Sequence, residues 1–253
     1  MQAGAITSYI DVAQLALYAF WIFFAGLIFY LRREDKREGY PLESERSGHV
    51  LVQGFPAIPS PKTFLLRDGS TLQAPRAEPP QRPIAARPVG GWLGAPMEPT
   101  GNPMVDGVGP AAYVERSEVP DTTFEGELRI VPLRVATDYG VDAEDPDPRG
   151  MAVIAADGRR AGTVADIWVD RADAVIRYLE VGLADGHRVL LPMTMARVGE
   201  DSVKVASILA AQFAAVPALA NPDQITSREE DRITAYYAGG HLYATPDRLG
   251  PLL

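Results

Sequence analysis

The sequence predicts a single N-terminal transmembrane α-helix and a mostly β domain, a small antiparallel barrel or curled sheet. A proline-rich extended segment joins the two, and a short helix lies near the C-terminus. Three observations carry this. Val12–Leu31 (VAQLALYAFWIFFAGLIFYL) runs 20 positions without a charge. Residues 41–110 hold 13 of the chain's 22 prolines. From Met151 onward, runs of β-prone residues alternate with Asp-Gly pairs.

A helix over Val12–Leu31 rises about 30 Å, the thickness of a bilayer's hydrocarbon core. Gln14 is its only strongly polar member, so it lacks the polar face that a helix half-buried in a soluble core carries. Asp11 ends the run on one side, and Arg32, Arg33, Lys36 and Arg37 crowd the other. A signal peptide has its positive charges before the apolar run, not after it. The positive-inside rule then puts residues 1–11 in the periplasm and everything after residue 31 in the cytoplasm. Arg32–Glu38 (RREDKRE) is expected to extend the helix for about two turns, within a cytoplasmic extension 32–40. Its mixed signs permit i,i+4 pairs, and Arg32, Arg33 and Arg37 are candidates for anionic lipid headgroups.

The chain has a net charge of −9 and no cysteine. Disulfides and thiolate metal sites are therefore excluded. The flank 32–38 carries +1 and Asp11 −1, so the remainder carries −9, a poor match to nucleic-acid phosphates. There is no phosphate-binding GxxxxGK[ST] loop, no HExxH pair and no GxSxG elbow. The three histidines, His49, His187 and His241, are scattered, so no metal site is expected.

Residues 41–110 show no helical period, within an extended proline-rich segment expected over 41–124. Phe55, Phe64, Leu65, Leu66, Trp92, Leu93 and Met97 are nevertheless spaced through them, which suggests an ordered segment laid across a partner's surface. TFLLRDGSTLQA reads as a hairpin turning at Asp68-Gly69. In the domain 125–253, EGELRIVPLRVA (125–136) reads as a strand interrupted by Pro132. Two hairpins turn at Asp157-Gly158 and Asp185-Gly186, and ARVGEDSVKV adds two short strands. Ser207–Ala215 is expected to form a short helix. Arg228–Tyr237 has helical spacing ahead of Gly239-Gly240.

FWIFFAGLIFYLRREDKREGYPLE (20–43), PKTFLL (61–66), PTGNPMVDGVGPAAYV (99–114), ADIWVD (165–170), RYLEV (177–181), LLPMTM (190–195) and EEDRITAYYAGGHLYATP (229–246) resemble the H subunit of the purple-bacterial photosynthetic reaction centre. Residues 151–205 resemble its PRC-barrel module. The resemblance implies a non-catalytic subunit in the chromatophore membrane that caps the cytoplasmic face of the L and M subunits. It also implies that this subunit stabilises the quinone sites and helps carry protons to the secondary quinone. No cofactor is expected on this chain. Bacteriochlorophyll, bacteriopheophytin, quinones, non-haem iron and carotenoid would sit on partner subunits, with an antenna ring and a cytochrome subunit as further neighbours.

The resemblance also implies which residues carry protons. An acidic pair near the quinone site matches Asp170 and Asp173, with Arg177 and Glu180 following. A surface mouth matches PDTTFEGELRIVP, where Glu125 and Glu127 stand in the approximate places of two histidines and Asp121 lies nearby. Glutamate, with a pKa near 4.3, is a poorer donor than imidazole at neutral pH but still gathers protons. Buried carboxyls with raised pKa values suit such a chain of carriers. A competing reading is a membrane-tethered PRC-barrel adaptor that binds a soluble partner. A membrane-anchored enzyme has no catalytic motif to support it.

Overall fold

The computed structural model describes residues 11–43, 51–75, 82–92 and 94–249. The expected periplasmic stretch therefore lies, apart from Asp11, outside the described residues. Helix α1 spans Val12–Asp35 without a break, and none of its residues is buried within the chain. It is long and apolar enough to cross a membrane. Asp11 caps its start: the side chain accepts the Gln14 N–H at 2.8 Å, and the Gln14 side chain accepts the Asp11 N–H at 3.3 Å. Arg32 and Arg33 in the last turn complement the helix dipole. The helix stops four residues past Leu31, short of the two turns expected. Lys36 is its C-cap, and Gly39 with φ +74° turns the chain away.

The chain divides into two compact units, Met1–Arg82 with Gly90–Ala95, and Pro83–Val89 with Pro96–Leu253. In the first unit, β1 (Leu42–Glu43) pairs with β2 (Leu51–Val52), and β3 (Lys62–Leu65) with β4 (Thr71–Ala74). The β3–β4 turn is the expected one. Gly69 takes φ +81°, and the Asp68 carboxylate accepts the Ser70 amide at 2.9 Å.

The second unit opens with β5 (Ala86–Pro88) paired to β6 (Met97–Pro99), then α2 (Pro103–Asp106), capped by Asn102. β7 covers only Ile130–Pro132, because the proline has no N–H to continue the ladder. β8 (Ala152–Ile154), β9 (Arg160–Asp170), β10 (Val175–Leu183), β11 (Arg188–Pro192), β12 (Ala196–Val198) and β13 (Ser202–Val205) complete the sheet. The order is β11-β10-β9-β8-β13-β12, with β7 paired to the end of β9. Every pairing in this sheet is antiparallel except β13 with β8. The turns at Gly158 (φ +73°) and Gly186 (φ +88°) fall where the Asp-Gly pairs predicted them. The result is a curled, barrel-like sheet, as expected.

Its core holds Trp168, Ile167, Leu179, Leu191, Phe213 and Tyr237, all fully buried. Full burial of one such side chain contributes about 1.5–3 kcal/mol. The segment 207–215 forms a 3₁₀ turn over Ala210–Ala215. α3 runs Ser227–Tyr243, straight through the glycine pair expected to follow it. Packing explains this. A Cβ at Gly239 would lie 2.5 Å from Ala111 Cβ, and one at Gly240 2.4 Å from Ile208 Cγ2. The pair therefore marks close approach, not a helix end.

Candidate functional site

An open cleft of about 590 Å³ lies on the second unit between β10, α3 and the stretch 110–129. Asp121, Arg129, Arg177, Tyr178 and Glu230 face it. Consecutive residues on a strand normally face opposite sides. Here the β9–β10 register shifts between Ile176 and Tyr178, and this bulge lets both Arg177 and Tyr178 line the cleft.

Asp170 closes β9 and is fully buried. Arg129 grips it bidentately, Nε to Oδ1 at 2.9 Å and Nη2 to Oδ2 at 2.9 Å. The same carboxylate accepts the amides of Ala172 at 3.1 Å and Asp173 at 3.4 Å. Burial pushes its pKa up, but Arg129 and the two amides outweigh burial and hold it below the usual aspartate value. Asp173 lies on the exposed turn and takes a 2.6 Å bond from Arg129 Nη2.

Glu230 behaves oppositely. Its side chain is 13% exposed. Tyr178 Oη donates to its Oε2 at 2.8 Å. Burial raises its pKa above the ordinary glutamate value and Asp121 adds to the rise, while Tyr178 and Arg177 oppose it. Arg177 stands 3.9 Å from both Asp170 and Glu230, between an ionised carboxylate and one inclined to keep its proton.

The remaining expected residues separate. Asp121 faces the cleft and accepts from Ser227 Oγ at 3.2 Å. Glu127 pairs instead with Arg171 at 2.6 Å, and Glu125 sits exposed on the turn at Gly126. Glu180 belongs to a second network. It accepts Arg134 at 2.7 Å, the Trp168 indole N–H at 2.9 Å and Arg188 at 2.6 Å. Burial favours its neutral form, but Arg134, Trp168 and Arg188 prevail and hold its pKa low. Arg134 also binds Asp166 at 3.0 Å and Asp223 at 3.0 Å, tying the loop ahead of α3 to the sheet. On α1, Arg32 and Arg33 are exposed, whereas Arg37, just past its end, is held by Glu34 at 2.8 Å. No group of three or more candidate metal ligands occurs among the described residues.

Sequence reading missed Arg129, Tyr178 and Glu230. Glu230 lies inside the EEDRITAYY run, but its chemistry depends on Tyr178, 52 positions away.

An apolar helix with no buried residue, one such helix among the described residues, followed by a curled β sheet with a charged cleft, fits a single-pass membrane protein with a barrel-like domain. The model for the photosynthetic reaction centre H-chain N-terminal region matches residues 4–135, and that for the PRC-barrel domain matches residues 141–212. The chain belongs to the photosynthetic reaction centre H-chain family, whose members are subunits of the reaction centre.

Proposed function

We propose that this chain caps the cytoplasmic face of the L and M subunits, supports the quinone sites there and helps conduct protons to the secondary quinone. Family membership and the single apolar helix support this setting. The positive flank after residue 31 supports an N-terminus in the periplasm and a cytoplasmic body in the bacterial inner membrane. The pigments, quinones, iron and carotenoid are assigned to partner subunits, and the quinone supplies the redox chemistry. An antenna ring and a cytochrome subunit are further neighbours in this proposal.

One observation carries the proton role: Arg177, which lines the cleft, stands 3.9 Å from Glu230, whose proton affinity burial raises, and 3.9 Å from Asp170, which Arg129 holds ionised behind it. A relay needs a group whose proton affinity lies above that of an ordinary carboxyl, in a field that keeps the proton from settling elsewhere. Glu230 supplies the first. It takes a proton on a carboxylate oxygen, and Tyr178 fixes its orientation through the other. Asp170, locked by Arg129, supplies the second as a fixed negative charge. Asp121 and Asp173, both exposed, gather protons from solvent. Arg177 sets the balance between Asp170 and Glu230. Glu125 and Glu127 contribute negative charge near the mouth. Glu180, clamped by two arginines, serves as structure.

The test is Glu230→Gln in the assembled complex, followed by flash-induced proton uptake and the second electron transfer. Single carriers typically contribute about 10²–10⁴-fold. With Asp121 and Asp173 still present, a slowing of about tenfold is expected, with the first electron transfer unchanged. Unaltered second-transfer kinetics would remove Glu230 from the pathway. A preparation purified through this chain that lacked bacteriochlorophyll absorption would remove the whole reading.

A further inference from the structure

At its C-terminal end α1 is strapped by the stretch 53–62. Lys36 is buried, and its Nζ donates to Gln53 O and Pro56 O, both at 2.6 Å. The ammonium also lies 5.0 Å from the Tyr40 ring centroid. The two carbonyls flank Gly54 and Phe55, and Gly54 takes φ +62° to make the turn around the ammonium. Farther along, Arg37 donates to Ser60 O, and Lys62 pairs with Glu34 at 2.6 Å. Pro56 and Pro59 are buried in the strap.

Phe55 is turned outward, 84% exposed, yet its ring lies 5.9 Å from that of Phe29. Phe29 and Lys36 are seven residues apart, two turns on one face, or about 10 Å along the axis. Helix side chains also lean toward the N-terminus, so the Phe29 ring sits above its own Cα, inside the uncharged run. Arg32 and Arg33, exposed in the turn between, stand at headgroup depth.

We propose that the strap is a second membrane contact, with Phe55 entering the acyl-chain boundary of the leaflet at the C-terminal end of α1. Two of the three Lys36 donors bond carbonyls and the ammonium faces the Tyr40 ring, which offsets part of the cost of removing it from water and keeps the Gln53 and Pro56 carbonyls from facing lipid unpaired. The occupant of the Phe55 surface is lipid, because the surface continues the lipid-facing wall of α1 and is bordered by exposed arginines that match anionic headgroups. The proposal rests on α1 spanning the membrane.

The chain has no cysteine, so single nitroxide labels can be placed at Phe55→Cys, Ala57→Cys and Ile22→Cys, with the complex carrying the unaltered chain as background. The complex is reconstituted in phosphatidylcholine–phosphatidylglycerol vesicles and probed with oxygen and with nickel-EDDA. The ratio of oxygen to nickel collisions at 55 is expected to be several-fold higher than at the exposed neighbour 57. Lys36→Gln should bring it down toward the value at 57. A nickel-accessible label at 55 would overturn the proposal, and so would one shielded from both probes, which would mean a protein partner. Nickel access at Ile22→Cys would instead overturn the membrane span itself. Phe55→Trp, which keeps an aromatic ring, gives an independent reading through quenching by lipids brominated near the headgroup, and absence of quenching there also counts against the proposal.

Discussion

Asp170 and Glu230 are both carboxyls removed from water, and their partners alone decide their opposite behaviour. Burial favours the neutral form of each. Two guanidinium bonds and two amides reverse that for Asp170, whereas Glu230 receives one phenol and a distant Arg177. The difference is measurable as pH-dependent stability. For Asp170 the folded pKa is depressed, so its contribution is complete above the ordinary aspartate pKa and is lost as pH falls through the folded value. For Glu230 the folded pKa is raised. Between about 4.3, the ordinary glutamate value, and that raised value, the native chain holds a proton the unfolded chain has shed, and stability falls as pH rises. Urea midpoints of the complex across pH should show both slopes. Glu230→Gln is expected to abolish the second alone. Asp170→Asn is expected to abolish the first and to cost about 1–3 kcal/mol above it, since Arg129 loses charged bonds but keeps Asp173. A Glu230→Gln profile that overlays the parent would contradict the assignment of that slope.

At the scale of elements, the cleft depends on a strand bulge and on where α3 sits. The register shift at Ile176/Tyr178 delivers two adjacent side chains to one side, and α3 brings Glu230 against them because its glycines let it sink onto the Ala111 turn, the Ser207 backbone and the Ile208 side chain. Gly240→Ala gains about 1 kcal/mol of helix propensity. Its Cβ, however, would lie 2.6 Å from Ser207 O, a backbone atom with no rotamer to yield. A net loss of about 1–3 kcal/mol is expected. Gly140→Ala, where nothing lies within 4 Å, should be near neutral. A Gly240→Ala complex as heat-stable as its parent would mean that α3 is free to shift. These features also mark what could be read in advance. α1 was legible because twenty uncharged residues admit few alternatives, and the hairpin turns because Asp-Gly supplies positive φ locally. The path of α3 through Gly239-Gly240 was not, since the helix-breaking tendency of glycine is local and the packing that overrides it is not. The resemblance groups Glu180 with Asp170, Asp173 and Arg177 in one proton path. Glu180 turns instead to Arg134 and Trp168, which only the folded sheet brings to it.

For the whole molecule, charge and anchoring pull in different directions. The residues beyond Glu38 carry −9, and a cytoplasmic leaflet is itself anionic. Their repulsion is screened beyond about 10 Å at 0.1 M salt, so it acts only on what lies close to the lipid. Next to the membrane the chain places Arg32 and Arg33, and it ties Glu34 to Arg37 and Lys62, leaving little net negative charge facing the headgroups. The acidic loop 138–147 belongs to the second unit, not to the unit that carries the helix. Such a distribution favours one topology, with the positive flank and all that follows on the cytoplasmic side. Glu144→Cys, an exposed position on that loop, tests this directly because the parent chain has no thiol of its own. In sealed vesicles that keep the orientation of the cell membrane, a membrane-impermeant maleimide added outside should leave the thiol at 144 unlabelled, whereas inside-out chromatophores should label it fully. Labelling from the periplasmic face would invert the topology and, with it, every assignment of the cleft to the quinone side of the complex.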